Sequence, residues 1–138
     1  MITETYVSFE VAKLLKEKGF DGECMSMYIT PKPHSGMGNP NEAKIAPHGR
    51  DSHYYDGYLY QCEAPTLQMA MDWLRVTYKH HIVAEPRLYN SANTDSDFSR
   101  WLWTIITEDS YLYSEGEDFP TYESAAEAAL KHCLENLI

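Results

Sequence analysis

The sequence predicts an α+β domain in which three helices pack on an antiparallel or mixed sheet of about five strands. Three segments repeat their apolar side chains with helical spacing, and each follows a hydroxyl residue that can cap a helix. The segments between them alternate apolar and polar side chains, as half-buried strands do. Because the strands come in runs between the helices, in the order α-β-β-α-β-β-β-α, antiparallel hairpins are favoured over a parallel sheet. The 138 residues correspond to a single domain.

Three hydroxyl residues, Ser8, Thr66 and Thr121, mark the predicted helix starts. The first helix ends near Gly19, a residue type that commonly follows the last helical turn. The third helix keeps its apolar spacing without a break. The apolar stripes are Val11, Ala12, Leu14 and Leu15 in the first helix; Leu67, Ala70, Met71, Leu74 and Tyr78 in the second; and Tyr122, Ala125, Ala126, Ala129, Leu130, Cys133, Leu134 and Leu137 in the third.

Strands are predicted in five segments, which are Cys24–Thr30, Tyr54–Cys62, Ile82–Leu88, Trp101–Thr107 and Tyr111–Tyr113. The segment that begins at Trp101 is apolar on both faces, which is typical of a strand that is central, covered on two sides, or facing another subunit. Pro86 makes its segment suitable for an edge strand or a strand end. A tight turn at Asp109 and Ser110 would bring Ile106 opposite Tyr113.

A long loop is predicted from Pro31 to His53, because this segment has four Pro, three Gly and no periodicity. A loop of this length without secondary structure of its own is typically functional or flexible. It is therefore one of two candidate partner-binding segments, the other being the acidic C-terminal third.

Acidic residues are concentrated in that last third. Residues 95–138 contain ten acidic side chains and two basic ones, and so contribute −8 of the formal net charge of −10. Such a charge attracts a cationic partner, or simply keeps the domain in solution. It disfavours binding to anionic lipid and to nucleic-acid phosphate, whereas imitation of nucleic acid stays an alternative.

Cysteine usage and the absence of targeting signals predict a protein of the bacterial cytoplasm. Cys24, Cys62 and Cys133 lie far apart and include no CxxC pair, so reduced thiols are expected. The N-terminal residues lack the cationic start and apolar run of a signal peptide. No apolar stretch is long enough to span a bilayer, so no membrane association is expected.

No motif indicates a cofactor or a metal site. The six His lack the spacing of zinc ligands. A calcium-like run that begins at Asn93 fails because Phe98 and Thr104 stand where Gly and Glu are needed. No local pattern joins a nucleophile to a His base, since Cys133 and its neighbour His132 must point apart on a helix. Whether the chain is an enzyme is left open, and a non-enzymatic role is favoured.

Aromatic and acidic side chains provide the candidate binding residues. The aromatic candidates on predicted strands are Tyr58, Tyr60, Trp101, Trp103, Tyr111 and Tyr113. Core packing is their commoner role, but a shared aromatic face would suit a second subunit or a planar, nucleotide-like ligand. The acidic candidates are Glu115, Glu117 and Asp118. Single-stranded nucleic acid is disfavoured, because Arg100 is the basic residue that this region offers to phosphates.

Three passages carry a resemblance to a known family: Thr3 to Phe20, Ala64 to Arg75 and Ala125 to Ile138. They resemble a family of small uncharacterised proteins from phages, prophages and mobile elements of Bacteroides-type gut bacteria. The resemblance covers about a third of the chain and coincides with the three predicted helices. It implies a phage or mobile-element accessory protein, and it implies no activity, cofactor or site residue.

The favoured function is therefore a non-enzymatic accessory protein that binds a protein partner through its acidic third or its long loop. A homodimer through the aromatic face is compatible with this function. The alternatives are a protein that binds, or acts on, a small nucleotide-like ligand, and a nucleic-acid mimic.

Overall fold

The computed structural model describes residues 4–34, 36, 38–39, 41–49, 56–87, 100–114 and 118–138, which form three helices and six strands. In chain order the elements are α1 (Phe9–Glu17), β1 (Ser26–Pro31), β2 (Lys44–Pro47), β3 (Tyr58–Glu63), α2 (Leu67–Tyr78), β4 (His81–Pro86), β5 (Trp101–Ile106), β6 (Leu112–Ser114) and α3 (Tyr122–Asn136).

The helices begin where their hydroxyl caps predict. Ser8 Oγ accepts a hydrogen bond from the backbone N–H of Val11 at 3.2 Å, and Thr66 caps α2 in the same way. Thr121 and Ser124 form a reciprocal capping box at the start of α3, with bonds of 3.0 and 3.1 Å. Each cap satisfies backbone donors that have no partner inside the helix.

The six strands form two antiparallel sheets of three, in the orders β2-β1-β3 and β4-β5-β6. The α+β class is confirmed, but the prediction of a single sheet of about five strands is wrong. Alternating side chains identify a strand without showing which strand it pairs with. Here α2 separates β3 from β4, and each pairs within its own run of strands, β3 with β1 and β4 with β5.

Strand β2 lies inside the segment that was predicted to be a loop, and it pairs with β1 from Ser26–Pro47 to Ile29–Lys44. Ala46 is its one buried residue, so the sequence carries no alternation that would reveal the strand. The element order therefore contains one strand more than predicted, α-β-β-β-α-β-β-β-α. Residues 35, 37, 40 and 50–53 of the predicted loop lie outside the described residues, as do the predicted strand ends at Tyr54 and Leu88.

The starts of the three helices lie together. The backbone N–H of Ser8, at the start of α1, donates to the carboxylate of Glu127 on α3 at 3.0 Å. A groove between the starts of α2 and α3 is lined by Thr66 and Leu67 on one side and by Tyr122 on the other.

The ends of the helices also lie together. The Tyr78 hydroxyl, at the end of α2, donates to the carbonyl oxygen of Lys18 after α1 at 3.2 Å. His80 Nε2 lies 3.5 Å from the carbonyl oxygen of Leu137 after α3, and Lys18 Nζ donates to the carbonyl oxygen of Ile138 at 2.8 Å. Because starts meet starts and ends meet ends, the three helices run roughly parallel.

Charged side chains compensate the aligned dipoles of these helices. Glu10 and Glu123 lie in the first turns of α1 and α3, and Lys16 and Arg75 lie in the last turns of α1 and α2. A carboxylate near a helix start contributes roughly 0.3–1 kcal/mol at low ionic strength. Part of the acidity of the C-terminal third therefore stabilises the parallel arrangement of helices.

The main core lies between the helices and both sheets. Trp103 and Ile105 of β5 are almost fully buried, and they belong to the same core cluster as Ala125, Ala126 and Ala129 of α3. These small side chains let α3 approach β5 closely, so little space is left for a larger residue.

Strand β1 is buried along its whole length. Tyr28 belongs to the main core, and its hydroxyl donates to the carbonyl oxygen of Val7 at 2.5 Å. Met27 and Ile29 form a second, smaller cluster with Ala46 of β2. Burial raises the pKa of Tyr28 to about 12, so the hydroxyl stays protonated at neutral pH.

Candidate functional site

The aromatic residues that were predicted to share a face lie on two different sheets. They divide into Tyr58 and Tyr60 on β3, and Trp101, Trp103, Tyr111 and Tyr113 on or beside β5 and β6. The structure thus brings the last four into one sheet and separates them from the first two.

The two tryptophans of β5 are structural. Trp103 is 1% exposed, and its ring centroid lies 5.2 Å from that of His132 on α3. Its indole Nε1 finds no hydrogen-bond partner among the described residues. Trp101 is half-buried and meets Tyr122 edge-on at 5.7 Å. Both rings thus pack against aromatic side chains of α3.

The two tyrosines of β3 are held by local polar contacts. The Tyr60 hydroxyl donates to the Glu63 carboxylate at 3.0 Å, and His48 Nε2 lies 2.9 Å from the same carboxylate. Lys44 Nζ lies 4.3 Å from the centre of the Tyr58 ring. Desolvation and the bond to Glu63 raise the pKa of Tyr60 to about 12. This cluster on the first sheet is polar and largely exposed.

Strand β6 is the edge of its sheet, and it exposes large apolar side chains. Leu112 is 67% exposed and the adjacent Tyr111 is 66% exposed, while Tyr113 and Ile106 are about 40% exposed. The order β4-β5-β6 leaves one side of β6 without a strand partner in the part of the chain that the structure describes. An apolar edge strand of this kind is a template for pairing with another chain.

The register of the β5–β6 hairpin differs from the prediction by one residue. Leu112, not Tyr113, lies opposite Ile106, because the turn contains three residues, 108–110, instead of two. Ser110 closes it with a φ of 66°, as three-residue hairpin turns require. Tyr113 therefore lies on the face of the sheet toward α3, opposite the buried Ile105, and Leu112 lies on the other face beside Ile106.

The backbone of β6 alternates between groups used inside the sheet and groups that face its open edge. The Thr107 N–H donates to the Tyr111 carbonyl oxygen at 3.0 Å, so these two residues form a hydrogen-bonded pair of the ladder. Such pairs recur at every second residue, so Tyr113 also turns its N–H and C=O toward β5. Leu112 and Ser114 therefore direct their N–H and C=O groups outward.

Acidic side chains flank β6 on both sides. Glu108 and Asp109 precede it in the turn, and both are exposed. Asp118 follows it, and its carboxylate forms an ion pair with Arg87. Glu115 and Glu117, also predicted as binding residues, follow β6 in the sequence but lie outside the described residues. In the described residues the edge thus combines an apolar centre with carboxylates at its turn end, while Asp118 beyond the other end is paired with Arg87.

A groove of about 530 Å³ lies where the helix starts meet. The sequence did not reveal it. It is lined by Tyr6 and Tyr28 and by the carboxylates of Glu4, Glu123 and Glu127. Acidic residues in the first turn of α3 signal a helix start, but the meeting of three starts depends on the tertiary fold. These carboxylates compensate helix dipoles, as described above. Among the described residues that line the groove there is no His or Cys, and the hydroxyls of Ser8 and Ser124 are engaged in helix capping.

The cysteines are not prepared for catalysis. Burial raises the pKa of Cys24 to about 11 and that of Cys133 to about 12, and it also raises the pKa of Cys62. A thiol with a raised pKa carries little of the nucleophilic thiolate at neutral pH. Within the described ranges, no three His, Cys, Asp or Glu side chains come together as a metal site would require. The calcium-like run after Asn93 lies outside those ranges.

No protein-family model matches the chain, and no curated protein or solved structure shows significant similarity to it. Among the described helices, none combines the length and the apolar character needed to cross a bilayer. The described residues form a small α+β protein in which β6 is a sheet edge with exposed apolar side chains.

Proposed function

We propose that the protein is a non-enzymatic binding module that holds a protein partner on the open edge of the β4-β5-β6 sheet. The contact surface consists of Ile106, Tyr111 and Leu112, together with the flanking carboxylates of Glu108 and Asp109. The observation that carries the proposal is the exposure of Tyr111 and Leu112 at 66% and 67% on an edge strand. Exposed apolar side chains beside charged ones are typical of interaction surfaces.

Covering the exposed apolar side chains of the edge with a partner is energetically more favourable than leaving them in water. Complete burial of a Leu side chain stabilises by roughly 1.5–3 kcal/mol. Covering the exposed 67% of Leu112 therefore contributes about 1–2 kcal/mol, and Tyr111 contributes a similar amount. The rim charges add selectivity and association rate more than affinity.

The other candidate functions have less support. A planar nucleotide-like ligand needs aromatic rings that line a cleft, whereas Trp101 and Trp103 pack against α3 and Tyr60 is bound to Glu63. A nucleic-acid mimic needs its carboxylates free, whereas Glu127 accepts a backbone bond and Asp118 pairs with Arg87.

Selection from a displayed library of random peptides tests the proposal. The wild-type protein should enrich peptides, and Leu112→Asp should weaken their binding at least tenfold. Leu59→Asp is the matched control, because Leu59 is also an exposed leucine, at 42%, but lies on β3 of the other sheet. The proposal is wrong if no peptide is enriched, if Leu112→Asp binds like wild type, or if Leu59→Asp loses binding equally.

The cellular setting is part of the same proposal. Three unpaired cysteines, two of them buried, support a reducing compartment such as the cytoplasm of a bacterial host. The sequence resemblance implies an accessory protein of a phage or mobile element, and this origin belongs to the same proposal.

A further inference from the structure

We infer that the partner on this edge is a second copy of the chain, whose β6 pairs antiparallel with β6 about a twofold axis at Leu112. This inference rests on the proposed function and names the partner. The β4-β5-β6 sheets of the two copies then join into one continuous antiparallel sheet.

The edge segment has the same sequence in both directions. All five of its residues are described and exposed, and they are Ser110, Tyr111, Leu112, Tyr113 and Ser114. Antiparallel pairing of this segment with itself about Leu112 sets Leu against Leu, Tyr against Tyr and Ser against Ser. A twofold interface requires such self-complementarity, because the same surface supplies both of its sides.

The backbone of β6 is already oriented for this pairing. Tyr111 and Tyr113 direct their N–H and C=O groups toward β5, so those of Leu112 face the open edge. In an antiparallel ladder, two residues that face each other in this way exchange both of their hydrogen bonds. The Leu112 N–H of each copy therefore donates to the Leu112 carbonyl oxygen of the other copy.

The apolar side chains on one face of the sheet select this register. Leu112 lies opposite Ile106, and the two are 67% and 37% exposed. Pairing about Leu112 extends this pair into a row of four apolar side chains, two from each copy. The backbone would also allow pairing about Tyr113, but that register sets Leu112 against Ser114 and interrupts the row.

The tyrosines pair on the other face of the sheet. Pairing about Leu112 sets Tyr111 of each copy opposite Tyr113 of the other copy, with Cα atoms about 4.5 Å apart. Tyr111 is 66% exposed and Tyr113 is 39% exposed in the single chain. Aromatic pairs across neighbouring strands stabilise a sheet, so this face also favours the second copy.

The described carboxylates of the turn do not oppose the pairing. Residues 110–114 carry no charged side chain. Asp109 precedes Leu112 by three residues, so the two copies of Asp109 lie on opposite sides of the axis, roughly 20 Å apart. This separation exceeds the Debye length of about 8 Å at physiological ionic strength, so their repulsion is largely screened.

Sedimentation of the whole chain tests the partner. The concentration series should extend to roughly 1 mM, because so short an interface gives a weak, reversible dimer. Leu112→Asp should stay monomeric, since it sets two carboxylates against each other, and Leu112→Ala should raise the dissociation constant about tenfold. Leu59→Ala is the matched control, because Leu59 is 42% exposed on the other sheet, and it should dimerise like wild type. Circular dichroism verifies that each variant is folded.

Disulfide formation tests the register. Leu112→Cys places two thiols on residues whose Cα atoms are about 5.5 Å apart, which is within the range of a disulfide. Tyr113→Cys is the matched control, because its two copies lie diagonally across the axis, about 8 Å apart, which is beyond that range. Both variants carry Cys24→Ser, since Cys62 and Cys133 are buried and Cys24 is not. On mild oxidation Leu112→Cys should become a covalent dimer, and Tyr113→Cys should not.

The outcomes separate the inference from the proposed function. If the wild type is monomeric throughout but binds selected peptides through Leu112, the second copy is refuted and the proposed function stands. If neither dimer nor peptide binding is found, both are refuted. A dimer that survives Leu112→Asp uses another surface and contradicts the inference. A dimer that Tyr113→Cys crosslinks and Leu112→Cys does not refutes the pairing about Leu112.

Discussion

Replacing Tyr28 by Phe tests how the entry to α1 is fixed to the first sheet. The Tyr28 hydroxyl donates to the carbonyl oxygen of Val7 at 2.5 Å, and both residues are buried. The substitution removes one oxygen, keeps the ring, and deprives a buried carbonyl of this donor. Loss of a partner from a buried polar group costs about 1–3 kcal/mol.

The expected result at pH 7 is a fall in the free energy of unfolding of about 1–2 kcal/mol, which corresponds to a melting temperature lower by roughly 4–8 °C. Tyr111→Phe is the matched control. Its ring is 66% exposed, so its unfolding free energy should stay within about 0.5 kcal/mol of wild type.

The pH dependence provides a second, independent check. The pKa of Tyr28 is raised from 10.0 to about 12 on folding, chiefly by burial. A group whose pKa is raised in the folded state stabilises fully below the unfolded pKa, and this stability is lost as pH rises through the folded pKa. The wild-type protein should therefore lose stability relative to Tyr28→Phe between pH 10 and 12, by about 1.4 kcal/mol at pH 11.

Urea unfolding followed by tryptophan fluorescence at pH 7 and pH 11 measures both effects. All other titrating groups are common to the two proteins, so they cancel in the difference. A loss below about 0.5 kcal/mol at pH 7, or a difference that stays constant up to pH 11, would refute the role assigned to the Tyr28–Val7 bond.

Three further predictions concern the helices and the thiols. Thr121→Ala removes the capping box of α3 and should lower the unfolding free energy in urea by about 1 kcal/mol, and an unchanged value contradicts the capping role. In the native protein a disulfide reagent should react with the thiol of Cys24 alone, because Cys62 and Cys133 are 1% and 0% exposed. Immediate reaction of all three thiols would contradict this prediction. Ala126→Leu should lower the free energy of unfolding by about 1–3 kcal/mol, because the larger side chain overpacks the core between α3 and β5. Thermal unfolding measures this change, and an unchanged stability would show that the core has room for the larger residue.

The helices could be predicted because their signals are local. A hydroxyl residue at the start and apolar side chains at helical spacing lie within one segment of chain. Ser8, Thr66 and Thr121 therefore marked three starts, each one residue before the observed helix. Their parallel orientation had no such signal, because it depends on contacts such as Ser8 with Glu127, which are far apart in sequence.

Individual strands could be predicted from the sequence, but their pairing into two sheets could not. Strand β2 has a single buried residue, Ala46, and exists because β1 pairs with it. The hairpin register depended on whether one more residue joined the turn, and Ser110 took the left-handed conformation without being Gly or Asn. Neither feature leaves a periodic trace in the sequence.

The candidate site was predicted in part. Tyr111 and Tyr113 were among the proposed binding residues, and the acidic run after them was recognised. Leu112, which is the most exposed apolar residue of β6, was not proposed, because one-residue differences in register decide which side chains face outward. The structural role of Glu127 was also hidden, since charge alone does not distinguish a helix start from a binding patch.

The complete burial of β1 has a consequence for motion. With strands bonded on both sides and no exposed residue, its amide hydrogens should exchange with solvent only when the whole domain unfolds. Strand β6, bonded on one side and exposed throughout, should exchange through small local openings. The edge strand can therefore open and close locally while the rest of the domain stays folded.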